Sequence, residues 1–181
     1  GVMGARGRVN DGLALLQEAA HINQSLNIGP TNYIGRNFYD SKINLLVAQQ
    51  NWNAVIKVDE DCRKQLDASS LRRVPFSPGH VIALLQTGQP EQAYARLKPV
   101  FDQHVATMGE DHPQVAQERG ILGMVLMAQG KRDEAMGLLV QASAALLSPS
   151  VLEVEGQDRS LRTLTRRLVL ETYLAALATH P

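Results

Sequence analysis

Apolar residues recur along most of the chain at intervals of three and four, the spacing that lines one face of a helix. Leu13, Leu16, Ala19, Ala20 and Leu26 form the first stripe. It is entered from Gly7-Arg8-Val9-Asn10-Asp11-Gly12, which reads as a turn with Asn10 and Asp11 near the helix start. Gly29-Pro30 ends it. Tyr33, Ile34, Phe38, Ile43, Leu45, Leu46 and Val47 carry a second helix to about Gln49; Gln50-Asn51 breaks the pattern, and Trp52, Val55, Ile56, Cys62 and Leu66 line a third. Residues 68–79 hold Pro75, Pro78 and Gly79, which a helix interior does not accommodate cheaply, and read as a linker.

A short helix is expected over 80–86, stopped by Thr87-Gly88, and Pro90 suits the first turn of its successor, where a missing N–H is harmless. Ala93, Leu97, Val100 and Phe101 give that helix its apolar side, and Pro99 should bend it or remove a hydrogen bond. Gly109-Glu110-Asp111-His112-Pro113 closes it: Gly109 takes a left-handed conformation, Asp111 or His112 caps the next helix, and Pro113 lies in that helix's first turn. Val115, Leu122, Val125 and Leu126 line this helix up to Gln129-Gly130. The one after it, starting at Lys131-Arg132, carries Leu138, Leu139, Ala142 and Leu146. After Ser148-Pro149, a last helix over about 158–179 has Leu161, Leu164, Leu168, Leu174 and Leu177 inside. The expectation is eight helices, short connections and no strand, an all-α chain.

The turns can be laid over one another. Gln129-Gly130-Lys131-Arg132-Asp133-Glu134-Ala135 matches Thr87-Gly88-Gln89-Pro90-Glu91-Gln92-Ala93 at a spacing of 42 residues; Gln49-Gln50-Asn51-Trp52-Asn53-Ala54-Val55 precedes the latter by 38, and the Gly7 stretch precedes that by 43. Gly29-Pro30-Thr31-Asn32 likewise precedes Gly109-Glu110-Asp111-His112 by 80. A helix pair with two apolar faces cannot bury both alone, so such pairs stack and need caps. The small residues Gly123, Ala135 and Ala142 suit close helix approach. This predicts repeats over 1–149, about three and a half hairpins, and a C-terminal capping helix over 150–181. The first copy lacks room for its leading helix, so the array is expected to continue upstream in a larger protein.

Composition narrows the partners. The chain is 181 residues long, 44% hydrophobic but only 4% aromatic, which favours helices over sheet. Eighteen basic residues balance eighteen acidic ones, so no charge excess points to nucleic acid or an anionic membrane. No apolar run nears the roughly 20 residues that span a bilayer, and Gly1-Val2-Met3-Gly4 shows no signal peptide. With a single cysteine there is no internal disulfide, and the expected compartment is the cytoplasm.

Leu122-Gly123, Gln129-Gly130, Asp133-Glu134-Ala135, Leu139 and Ala142 together resemble the tetratricopeptide repeat. The Gly109–Ala116 connection and the period near 42 are similar to the longer variety in kinesin light chains and many bacterial proteins. The likeness is good over residues 80–149 and thin over 7–70. Arg119, Val81 and Asp59 depart from it, standing where the family has a large apolar residue, a small one and an apolar one respectively. The resemblance implies a right-handed α-solenoid of stacked antiparallel hairpins that binds a protein or peptide segment. The residues 166–178 are also similar to the helix after such repeats in bacterial proteins with a caspase-like CHAT domain. That likeness implies the alternative of a regulatory segment gating a protease domain elsewhere in the parent chain. A structural spacer, its groove filled by residues 68–79, is the third reading.

No catalytic residue, metal ligand set or cofactor motif is expected. Cys62 falls on an apolar stripe, where cysteine behaves as a small hydrophobe, and the histidines (21, 80, 104, 112 and 180) are scattered. His112 reads as part of a helix start. Arg159, Arg162, Arg166 and Arg167 read as a solvated cap face, with ion pairs Glu155–Arg159, Asp158–Arg162 and Arg167–Glu171. The functional surface follows from the resemblance, because the first helix of each hairpin lines the groove. On one such helix Asn37, Asp40, Ser41 and Asn44 are not needed for stacking; on the last, Gln117, Gly120, Met124 and Met127 are not. Asn37 and Asn44, seven apart, share a face, and an amide can donate and accept to a peptide backbone at once.

Overall fold

In the structure, a computed structural model, residues 2–26, 29, 31–66, 77–148 and 159–179 are described. Among them are eight helices: α1 Val2–Ser25, α2 Tyr33–Ala48, α3 Trp52–Lys64, α4 Pro78–Gln86, α5 Pro90–Met108, α6 Pro113–Ala128, α7 Arg132–Leu146 and α8 Arg159–Ala178. The fold is all-α, and α1 packs on α2, α2 on α3, α5 on α6, α6 on α7 and α7 on α8. The chain divides into two compact units, Gly1–His80 and Val81–Pro181.

Three connections share one backbone solution. The Gln50 N–H donates to the Val47 carbonyl and the Asn51 N–H to that of Leu46; Gly88 and Gln89 do the same to Leu85 and Leu84, and Gly130 and Lys131 to Met127 and Leu126. This is the Schellman closure, which needs positive φ at its left-handed residue. Gly88 (φ 72°) and Gly130 (φ 77°) supply it without a Cβ, whereas Gln50 (φ 56°) adopts it as the one non-glycine residue to do so among those described. The following helix then starts at once. Asn51 caps α3 with its side chain, accepting from the Ala54 N–H at 3.4 Å, while Pro90 opens α5. The three turns superimposed in the sequence are therefore one structural motif.

The Gly7–Gly12 copy is not. α1 runs unbroken through it, and Gly12 serves packing: a Cβ there would stand 3.3 Å from both Leu45 methyls on α2. Leu26, expected inside, is exposed. The side chains of Leu13, Tyr33 and Ile34 lie outside the described residues, as do 67–76, most of the expected linker. Its end is helical, since α4 begins at Pro78.

In the first unit Ile43, Leu46 and Val47 of α2 meet Val55, Val58, Cys62 and Leu66 in a buried core, with α1 and α3 both against α2. Gly79 brings the start of α4 against α2, for a Cβ would lie 3.0 Å from Ile43 Cγ2 and 3.1 Å from Val47 Cγ2. Asp59 on α3 is buried but paired: Arg63 Nε lies 2.7 Å and His80 Nδ1 3.3 Å from its Oδ2.

In the second unit α6 is enclosed by α5, α7 and α8. Leu139, Ala142 and Leu146 of α7, Met124 of α6 and Val169 of α8 form one buried cluster, with Leu85, Met127, Leu168 and Tyr173 packed around it. Two glycines set the approach. A Cβ on Gly123 would lie 2.8 Å from Leu139 Cγ, and one on Gly120 would lie 2.8 Å from Val169 Cγ2. α8 thus docks by Thr165, Val169 and Ala176, which are buried, whereas Leu174 and Leu177, expected inside, are exposed. The reason is the surface it meets: a glycine notch admits β-branched Val169, and Leu174, five residues on, falls on the far side. Arg132 on α7 fastens the far end of α8 by donating to the Ala176 carbonyl and, at 3.0 Å, to Thr179 Oγ1.

The joint between α5 and α6 is built largely as expected. Gly109 has positive φ (87°), but its ψ of 161° puts it outside the left-handed helical basin. His112 is the cap: its Nδ1 accepts from the Gln114 N–H at 3.2 Å, and Pro113 follows in the first turn. Arg119 on α6 is another polar residue held in the interior. Buried in its length, it turns its head to the joint, donating to the Glu110 carbonyl at 3.2 Å. Pro99 is accommodated within α5, which continues to Met108.

Candidate binding surface

α2 divides cleanly into an inward apolar stripe and an outward polar one. The buried Ile43, Leu46 and Val47 leave Asn37, Asp40 and Ser41 exposed and Asn44 half-buried, and these four fall within two helical turns on one side. On another side of α2 the Phe38 and Tyr39 rings meet edge to face at 5.4 Å, and Lys42 Nζ lies 5.9 Å above Phe38. The strip therefore carries amide, hydroxyl and carboxylate groups together. Sequence reasoning set Phe38 in the apolar stripe of this helix and passed over its ring contact with Tyr39.

Tyr39 also ties α2 to the end of α3: its hydroxyl accepts from Gln65 Nε2 at 2.9 Å. Burial pushes the Tyr39 hydroxyl above its usual 10.0; the Gln65 hydrogen bond pulls the other way, and the charges of Cys62 and Asp61 add to the rise. A folded-state value above the unfolded one means that folding favours the protonated phenol. This contribution is fully present below about pH 10 and is lost as pH rises further. Tyr39→Phe is expected to flatten the fall of Tm above about pH 10 relative to the parent. At neutral pH it should cost about 0.5–1 kcal/mol, the worth of one hydrogen bond. Parallel melts from pH 8 to 11 measure both, and an unchanged alkaline slope would show that Tyr39 contributes nothing to it.

The other expected surface, on α6, is not one. Met124 is buried within the α6–α7–α8 cluster and Met127 packs against it half-buried; Gly120 is covered by Val169, and Gln117 is half-buried. The correction has a plain cause: α8 occupies the side of α6 that the repeat pattern left open. Met124 is core filler.

Cys62 is buried, His80 pairs with Asp59, His104 with Glu118, and His112 caps α6. His21 is exposed on α1, and His180 lies outside the described residues. Among the described residues no group of three His, Cys, Asp or Glu side chains is arranged to hold a metal ion. On α8, Arg167 reaches Glu171 at 3.6 Å as the spacing predicted and Arg162 is exposed; both pairs expected further upstream involve residues outside those described. No described helix is long and apolar enough to cross a membrane. No protein-family model, no curated protein and no solved structure matches the chain.

Proposed function

We propose that this chain is a tetratricopeptide-type helical-repeat scaffold, a right-handed stack of hairpins capped by α8, which holds a protein or peptide segment against the outer face of α2. The observation that carries the reading is the Schellman turn repeated at Gln50, Gly88 and Gly130, at the spacings of the sequence repeat. A recurring hairpin of this kind is a device for presenting the same helix face again and again. On α2 that face is polar, and its two amides stand seven residues apart, about 10 Å at 1.5 Å per residue. An extended strand rises about 3.3 Å per residue, so the pair spans about three residues of a bound segment. Each amide can satisfy one backbone N–H and one C=O. The function needs no chemical step; affinity comes from polar pairing on a preorganised face.

Selection of binders from a random peptide library displayed against the full chain supplies the probe. Asn37→Ala/Asn44→Ala is expected to weaken the selected peptides by at least about 30-fold, the equivalent of one hydrogen bond of about 1 kcal/mol lost from each amide. Both side chains are solvent-accessible, so the thermal midpoint should stay within about 2 °C of the parent. Undiminished affinity, or a library that enriches nothing, would overturn the proposal.

A further inference from the structure

We draw no further inference here: the strongest candidate, the exposed apolar stripe of Leu15 and Ile22 on α1 continued by Leu26 just after it, is an unpartnered helix face, and nothing in the structure shows what covers it.

Discussion

Gly123→Val is expected to lower the melting temperature of the second unit by roughly 5–12 °C, whereas Gly137→Ala should raise it by roughly 1–4 °C. Both glycines sit in helices, and intrinsic propensity alone would predict a gain of up to about 1 kcal/mol for alanine at either site. What separates them is the space beyond the Cα. Around Gly137 a Cβ meets nothing within 4 Å. At Gly123 it would lie 2.8 Å from Leu139 Cγ, 2.9 Å from Leu139 Cδ2 and 3.4 Å from the Ala135 carbonyl oxygen. Leu139 is fully buried among Met124, Ala142, Leu146 and Val169. The nearest atom is its branch point, which cannot swing aside as a terminal methyl does. Overpacking of this kind costs about 1–3 kcal/mol, and valine adds two methyls while regaining little helix propensity. Packing therefore wins at Gly123, and propensity wins at Gly137. Paired melts of the two variants decide it. A Gly123→Val midpoint within about 2 °C of the parent would mean that α6 and α7 do not approach this closely. The coupling can be isolated by adding Gly123→Ala to Leu139→Ala. The leucine truncation alone should cost about 2–5 kcal/mol, and in that background the extra methyl should be neutral or favourable.

The contrast between these two glycines also explains what the sequence could disclose. Turns are local: Gly88, Gly130 and Gln50-Asn51 announce themselves because positive φ and helix capping are requirements on neighbouring residues. A glycine used for packing gives no such sign. Gly12 reads as a turn until Leu45 is seen against it, and only the docked Val169 reveals why position 120 is glycine. Periodicity fails in a related way at α6, where burial is nearly continuous from Val115 to Leu126 because three helices surround it. With no exposed stripe left, a groove on that helix could not be told from a core, and Met124 went to the wrong side. α8 poses the converse difficulty, being rich in leucine on several sides. Which leucines face inward depends on a surface contributed by α6 and α7. The α2 strip was legible because that helix keeps two faces, one apolar and one polar. Charged residues in the interior were the least legible of all, since Glu118 and Arg119 find partners 14 and 9 residues earlier, in α5 and in the joint after it.

Removing the imidazole of His104 is expected to destabilise the second unit more than its size suggests, because of what it leaves behind. The Glu118 carboxylate is 1% exposed, with His104 Nδ1 at 2.9 and 3.0 Å from its two oxygens and Gln114 Nε2 donating to Oε1 at 3.1 Å. An ionised carboxylate only accepts, so Nδ1 carries the hydrogen in this arrangement, and the 3.4 Å approach of Gln114 Nε2 to the same nitrogen is not a second hydrogen bond. His104→Ala strands a buried charge with one neutral donor. Losing one member of a buried pair costs about 3–5 kcal/mol; with 18% of the His104 side chain open to water, solvent can reach the vacancy and the lower end applies. Glu118→Gln keeps the shape and can still accept from His104, so about 1 kcal/mol is expected. The decisive variant is the double replacement His104→Leu/Glu118→Met, which removes charge and partner together while holding volume. If the pair is a geometric lock between α5 and α6 rather than a source of net stability, the double variant should be nearly as stable as the parent. It should then be clearly more stable than His104→Ala. Urea titration of the parent, His104→Ala, the double variant and its two components His104→Leu and Glu118→Met measures this. Losses that simply add, with the double variant the least stable, would show that the two side chains contribute independently and that the joint is held by Arg119 and the His112 cap instead.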